Sequence, residues 1–434
     1  MPSDPRHHRS GRTSRVIAVL AAFLLAAAGC TSEPERRDLP DVDIDAPTDA
    51  PFEAPSESPA ATVPSDVAGL GGRLAVLNGA GDLVTVNPDG SDEVVLAEVE
   101  PGQSQVRQPT WSPDGRRVAW VNIEVTEAGG LSAAIASARG DGTEPSSART
   151  SLVPFYLSWD PTSSRIAYLG SPAENEIELS ILEVAGRSSG TALDTGQPFY
   201  LSWSPAGDQL LVHVGEDRLE RLGLDGSLTT VARPGTFRVP VWTDDGRTFV
   251  YASGNADGDR LVAHDIDART GRPLVSFDGL LTFVVSPDGR RIAFQVLEEE
   301  RALPLTMLDL RTGETVEITD ALMAAFFWSP DGERLLYLDP DPAEGQIWYR
   351  WGVWDGTGSF TTPRFVPSLL VVGEYLPFFE QYAQSMSLWS PDGRAFAYPG
   401  TNESGEEGIW VQSASPDRAP VLVADGNFVA WSPG

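Results

Sequence analysis

From Gly71 onward, apolar residues come in short runs that alternate with polar ones and break at Asp-Gly and Thr-Gly pairs. A period of two with such turn punctuation predicts β-strands joined by hairpins. No stretch carries the pattern of a long amphipathic helix. The runs recur in a fixed unit, Trp-Ser-Pro-Asp-Gly followed by an apolar strand: WSPDGRRVAW from Trp111, WSPDGERLLY from Trp328 and WSPDGRAFAY from Trp389. Looser copies start at Trp159, Trp203, Trp242 and Val285, and a last one, WSPG, starts at Trp431. Successive anchors are 48, 44, 39, 43, 43, 61 and 42 residues apart. A β-rich run precedes each anchor, as in PFYLSW before both Trp159 and Trp203. A second hairpin follows in segments such as 83–91, 218–227, 261–271 and 304–314.

Four short strands per unit of about 40–45 residues is the arithmetic of a propeller blade. The sequence predicts an all-β protein, an eight-bladed β-propeller of four-stranded blades over 71–434. The final WSPG lacks the strand that should follow it, and residues 72–76 (GRLAV) supply one. Pairing of that N-terminal strand with the C-terminal unit closes the ring and removes exposed strand edges. Seven blades would follow if 390–434 and 72–111 paired differently.

These units resemble the β-propeller repeats of TolB and of the propeller domains of prolyl oligopeptidases and dipeptidyl peptidases, over nearly all of 71–434. The resemblance implies an extracytoplasmic protein-interaction role. Peptidase members carry an α/β-hydrolase domain beyond the propeller, and none is expected here.

The recurrent residues have structural expectations. Anchors Trp111, Trp159, Trp203, Trp242, Trp328, Trp389 and Trp431 should pack between blades. Asp114, Asp288, Asp331 and Asp392 sit between proline and glycine, where turn chemistry explains them. His213 and His264 fall in apolar strands and are expected to be structural. The run from Asn255 to Asp259 faintly resembles a calcium loop, but the twelfth position is Ile266, so a polar hairpin tip is expected. No HExxH, GxSxG or GxxxxGK motif occurs. No catalytic residue, metal site or cofactor is assigned.

The 61-residue interval between Trp328 and Trp389 is the one departure from the repeat. This aromatic insertion, about 343–385, holds Trp348, Tyr349, Trp351, Trp354, Phe365, Tyr375, Phe378, Phe379 and Tyr382. Residues 347–358 read as the blade's own second hairpin, whereas 361–384 have no counterpart elsewhere. Insertions on repeat scaffolds map to loops, and aromatics dominate interface hot spots. The aromatics are therefore candidates for partner binding. A plug in the central channel, or a cover over a blade edge, is the competing expectation.

The first seventy residues read differently. Arg6, Arg9, Arg12 and Arg15 precede an apolar run, Val16–Ala28, that ends in Ala27-Ala28-Gly29-Cys30. Thirteen apolar residues are too few to span about 30 Å of hydrocarbon. The run fits an export signal, and its end resembles a bacterial lipobox, with Cys30 as the lipidated residue. Segment 1–29 is thus expected to be a signal peptide. Residues 30–70 are proline-rich, acidic and nearly free of aromatics, which predicts a disordered linker.

The whole chain carries 62 acidic and 31 basic residues, a net charge of −31, with no lysine. Such a balance argues against nucleic acid as partner. It would also repel an anionic membrane surface, which the linker would hold at a distance. Cys30 is the one cysteine, so no internal disulfide can form. Together these expectations describe a monomeric, lipid-anchored propeller in the bacterial cell envelope that binds an envelope or membrane protein, with a membrane transporter as one partner class. The alternative is a hydrolase or lyase using axial carboxylates and a divalent metal.

Overall fold

The strand-and-turn alternation folds as its period requires. The computed structural model describes Val67 and residues 69–434, apart from 185–189, 233–234, 237, 256–257, 300, 344–345 and 417. The signal segment, Cys30 and nearly all of the linker lie outside the described residues. All described residues belong to one unit, Asp66–Gly434.

The chain is all-β, with antiparallel strands in sheets that follow one another along the sequence. Apart from the Trp389 repeat, whose anchor makes only an isolated bridge to Phe396, each repeat supplies a strand ending at its anchor, the strand after the anchor turn, and a second hairpin. In the Trp203 sheet these are Phe199–Trp203, Gln209–Val214, Arg218–Gly223 and Leu228–Ala232. Six sheets have four strands. One of these joins the ends of the described chain: Leu74–Leu77 pairs antiparallel with Phe428–Trp431 in the register Leu74↔Trp431 to Leu77↔Phe428.

One feature departs from the sequence expectation. The Trp328 and Trp389 repeats are fused into a single eight-stranded sheet. The joining strand, Phe365–Pro367, comes from the insertion and pairs with both Tyr349 and the strand Ala395–Asn402.

The anchors tie neighbouring repeats together. The Trp159 indole N–H donates to the Thr110 carbonyl at 3.2 Å, Trp203 to Ser158 at 3.3 Å, Trp328 to Val284 at 3.2 Å and Trp389 to Phe327 at 3.3 Å. Each acceptor is the residue just before the preceding anchor. Trp111 donates to Ala430 at 3.1 Å, which carries the same rule from the first anchor to the last. Trp431 breaks the rule and donates to Gly71 at 3.0 Å.

The anchor turns also touch one another. In the Trp111 turn, Ser112 Oγ donates to Asp114 at 2.6 Å, and the turns at Ser286, Ser329 and Ser390 repeat the bond. Gly115 needs its positive φ of 66°, and a Cβ there would lie 2.1 Å from the Pro433 carbonyl of the neighbouring turn. Gly289 likewise abuts Thr243 and Asp244. The turns therefore gather at one end of the sheets. Among the described residues no helix is long and apolar enough to cross a membrane.

Candidate functional site

The insertion after Phe365–Pro367 is the only described segment that leaves the sheet pattern for helix. It runs through Val371–Tyr375, Leu376–Phe378 and Phe379–Tyr382 as three short helical turns. Pro377 and the aromatic crowding keep it from forming one regular helix.

Its side chains reach the anchor-bearing strands of most of the sheets. Ser368 Oγ donates to the Asn427 carbonyl at 2.5 Å, and Tyr375 packs on Phe428 with ring centres 4.7 Å apart. Phe379 packs on Phe326 at 5.0 Å. Glu380 accepts the Phe283 N–H at 2.9 Å. Gln381 accepts the Leu201 N–H at 3.0 Å, and its amide donates to the Leu201 carbonyl at 2.9 Å and to the Tyr156 hydroxyl at 2.8 Å. Tyr382 donates to Gln108 at 3.0 Å, and Thr110 Oγ1 donates to the Ser385 carbonyl at 2.7 Å. The Trp431 N–H reaches the Ser387 carbonyl at 2.7 Å. One short segment can meet all these strands only where they converge, so 368–387 fills the axis of the propeller.

The contacts have a common logic. Leu201 and Phe283 lie on strands whose axial edge has no further strand to pair with. Gln381 and Glu380 satisfy backbone groups on those edges, which buried protein rarely leaves unpaired. Consecutive polar side chains thus act on the Trp203 and Val285 sheets.

Burial also sets the electrostatics. Glu380 is 8% exposed, and desolvation raises its pKa; Arg238, 3.9 Å away, and the Phe283 N–H oppose that shift. Tyr200 is pushed up to about 12, mainly by burial and then by the Glu380 charge. Burial raises Tyr375 well above the phenol range, with Tyr382 and Glu374 adding to it. Arg107 forms an ion pair with Glu374 beside Tyr375, and both are half-buried.

The nine aromatic candidates fall in three places. Trp351, Trp354 and Phe365 are buried on the strands Gln346–Trp354 and Phe365–Pro367, and Tyr375, Phe379 and Tyr382 are buried on the axial segment, so these six present little surface. Trp348 and Tyr349 are half-buried on the strand Gln346–Trp354, with the Arg364 guanidinium 5.6 Å over the Trp348 ring. Phe378 is 42% exposed. Reading for aromatics passed over Glu374, Glu380 and Gln381, which make the polar contacts. The available signal was the Glu-Gln pair inside the run FFEQY.

Other sequence candidates are structural in their surroundings. The seven anchor tryptophans are all buried. His213 is buried in its strand, with Nδ1 2.8 Å from the Arg238 carbonyl, and His264 stacks on Phe249 at 4.9 Å. Asp259 accepts from Thr236 at 3.2 Å, while residues 256–257 of that hairpin tip lie outside the described residues. Among the described residues no three His, Cys, Asp or Glu side chains gather to hold a metal ion.

Two depressions flank the filled axis. At the anchor end, a cavity of about 360 Å³ is walled by anchor tryptophans and the turn prolines Pro113, Pro287, Pro330, Pro391 and Pro433, with 383–388 lining it as well. At the other end, a cavity of about 310 Å³ lies beside Arg107, Glu374 and Asn427.

No family model matches the chain, and no curated protein matches it. Solved structures do. The crystal structure of the eukaryotic initiation factor is 9% identical, covers 83% of this chain and 98% of its own, and superposes with a TM-score of 0.53. The β-propeller domain of the Trilobed protease from Pyrococcus furiosus is 13% identical, with 75% and 99% covered and a TM-score of 0.48. TolB from Acinetobacter baumannii is 14% identical, with 76% and 82% covered and a TM-score of 0.40. At these identities the likeness bears on fold alone, and the propeller fold is read from the antiparallel, mostly four-stranded sheets that follow one another along the chain.

Proposed function

We infer that this chain is a lipid-anchored, extracytoplasmic β-propeller that works as a protein-binding module of the bacterial cell envelope. The ring is read as eight blades, the fused sheet counting as two. The Leu74–Trp431 pairing and the Trp111–Ala430 bond support closure of that ring.

The observation that carries the reading is the filled axis. Residues 368–387 bind the converging strands through buried side chains and close the passage in which a propeller would otherwise hold a substrate. The two ends of the ring remain as working surfaces, and rigid scaffolds present binding sites there. The hydrolase or lyase alternative needs carboxylates gathered on the axis. Glu380 is instead engaged with Phe283 and Arg238.

Export and anchoring rest on the sequence from Arg6 to Cys30. Membrane fractionation tests them. The native chain should sediment with membranes, and Cys30→Ala should appear in the soluble extracytoplasmic fraction. Equal membrane retention of the two would contradict lipid anchoring. Crosslinking in native membranes, followed by purification of the chain, should recover a stoichiometric protein partner.

A further inference from the structure

The register separates the two ends of the propeller by chemistry. At the anchor end the repeat itself sets an arginine near each turn aspartate. Arg394 pairs with Asp392 at 2.6 Å, and Arg291 with Glu333 of the next turn at 3.2 Å. The opposite end comprises the tips between second and third strands and the links between sheets.

At that opposite end two features coincide. The first is exposed apolar surface. Leu131 is 63% exposed at a hairpin tip, and Phe155 (39%) and Leu280 (44%) stand at the starts of axial strands. Leu369 (90%) and Phe378 (42%) come from the axial segment. The other exposed large apolar residues, Val95, Leu228, Val316 and Leu422, except for neighbours of those just named, lie on the outermost strands of their sheets.

The second feature is uncompensated negative charge. Glu174, Glu216, Asp217, Asp278 and Asp320 are exposed on loops at this end, and Glu407 is exposed at the start of the strand Glu407–Ser413. None of the six forms an ion pair among the described residues. Several arginines nearby are engaged, Arg107 with Glu374, Arg218 with Asp194 and Glu220, Arg301 with Glu298, and Arg364 with Glu403, whereas Arg149 and Arg260 at this end form no ion pair among the described residues.

We propose that the end of the propeller opposite the anchor turns docks a cationic amphipathic segment of another protein. Apolar side chains of that segment would cover Phe155, Leu280 and Phe378 around the mouth of the axis. Its Lys or Arg side chains would meet the acidic loops, supplying the charge this end lacks. An anionic lipid surface is disfavoured by the same charge. The proposal rests on the binding-module reading and names the face and the partner chemistry.

Fluorescence anisotropy with the full chain tests it. The probe is a labelled Lys-Leu-Leu repeat peptide, with a Glu-Leu-Leu repeat as its counterpart. The cationic peptide should bind and the anionic one should not. Raising salt from about 50 to about 300 mM should weaken binding severalfold. The triple variant Phe155→Ser, Leu280→Ser, Phe378→Ser should weaken it at least about tenfold. The control triple Val95→Ser, Val316→Ser, Leu422→Ser, equally exposed but on outer strands, should leave it unchanged.

A charge variant, Glu216→Gln, Asp217→Asn, Asp278→Asn, keeps the question open to refutation if the apolar triple unfolds; it should flatten the salt dependence. Equal loss in both triples, or no loss in either, overturns the proposal by showing binding that does not use this face. A dimer in sedimentation that dissociates in the face variant also overturns it, assigning the face to a second copy. If the crosslinked partner from native membranes survives the face variant, the proposal fails while the binding-module reading stands.

Discussion

Replacing Gln381 with leucine should destabilise the propeller sharply, although nothing on its surface changes. The Gln381 amide makes three hydrogen bonds of 2.8–3.0 Å, two of them to the N–H and carbonyl of Leu201. The side chain is 4% exposed, and Leu201 is fully buried. Leucine fills a similar volume but leaves both Leu201 backbone groups unpaired. Each such buried group costs about 1–3 kcal/mol. The Tyr156 hydroxyl retains Ser385 Oγ and the Gln381 carbonyl, each at 3.2 Å, so it adds little. Burial of the added apolar atoms offsets about 1 kcal/mol. The net expectation is about 3 kcal/mol.

For a unit of about 370 residues, an unfolding entropy of about 2.1 cal/mol/K per residue makes that a fall in Tm of about 4 °C. Calorimetry on the purified chain reads it directly. Gln384→Leu, three residues along and exposed, is the control and should stay within about 0.5 kcal/mol. If Gln381→Leu also stayed within that margin, the segment would not be bonded to the strands as described, and the argument for a filled axis would fall.

Three further outcomes are expected. Because burial raises the Glu380 pKa, the folded state favours its protonated form; stability from this group is present below the ordinary carboxyl range and lost as pH rises through the raised value. Glu380→Gln should therefore gain stability over the native chain at pH 8 and lose that advantage at pH 4, and a pH-independent difference between their Tm values would refute this. Trp203→Phe, which deletes an indole bond to Ser158, should cost about 1 kcal/mol more than Trp242→Phe in urea unfolding, because the buried Trp242 indole N–H has no acceptor among the described residues; equal costs would contradict the anchor rule. Gly115→Ala should cost more than about 2 kcal/mol through its positive φ and its approach to Pro433, whereas Gly226→Ala, equally left-handed but with open space around it, should cost less, and the reverse order would count against contact between neighbouring turns.

The fold was legible because its signal is local and repeated. A tryptophan, a Pro-Asp-Gly turn and an alternating strand specify one hairpin, and recurrence specifies the sheets. Even the pairing of Leu74–Leu77 with the last strand followed from an incomplete final repeat. The axial segment was legible only as an exception. Its aromatic content fitted an interface and a core equally well, since both bury the same kind of surface. What separates them is which residues they meet. Tyr382 meets Gln108, and Gln381 meets Leu201, pairs far apart in the chain that no local pattern connects. The fusion of two repeats by Phe365–Pro367 was hidden for the same reason, because a three-residue strand has no periodicity to read.

The measurement that bears most directly on the function is crosslinking in native membranes with the intact chain and with the Phe155, Leu280, Phe378 triple-serine variant. One stoichiometric partner should crosslink to the intact chain, through a site rich in cationic amphipathic sequence, and should be lost with the variant. Absence of any stoichiometric partner with the intact, folded chain would contradict the claim that this propeller is a binding module.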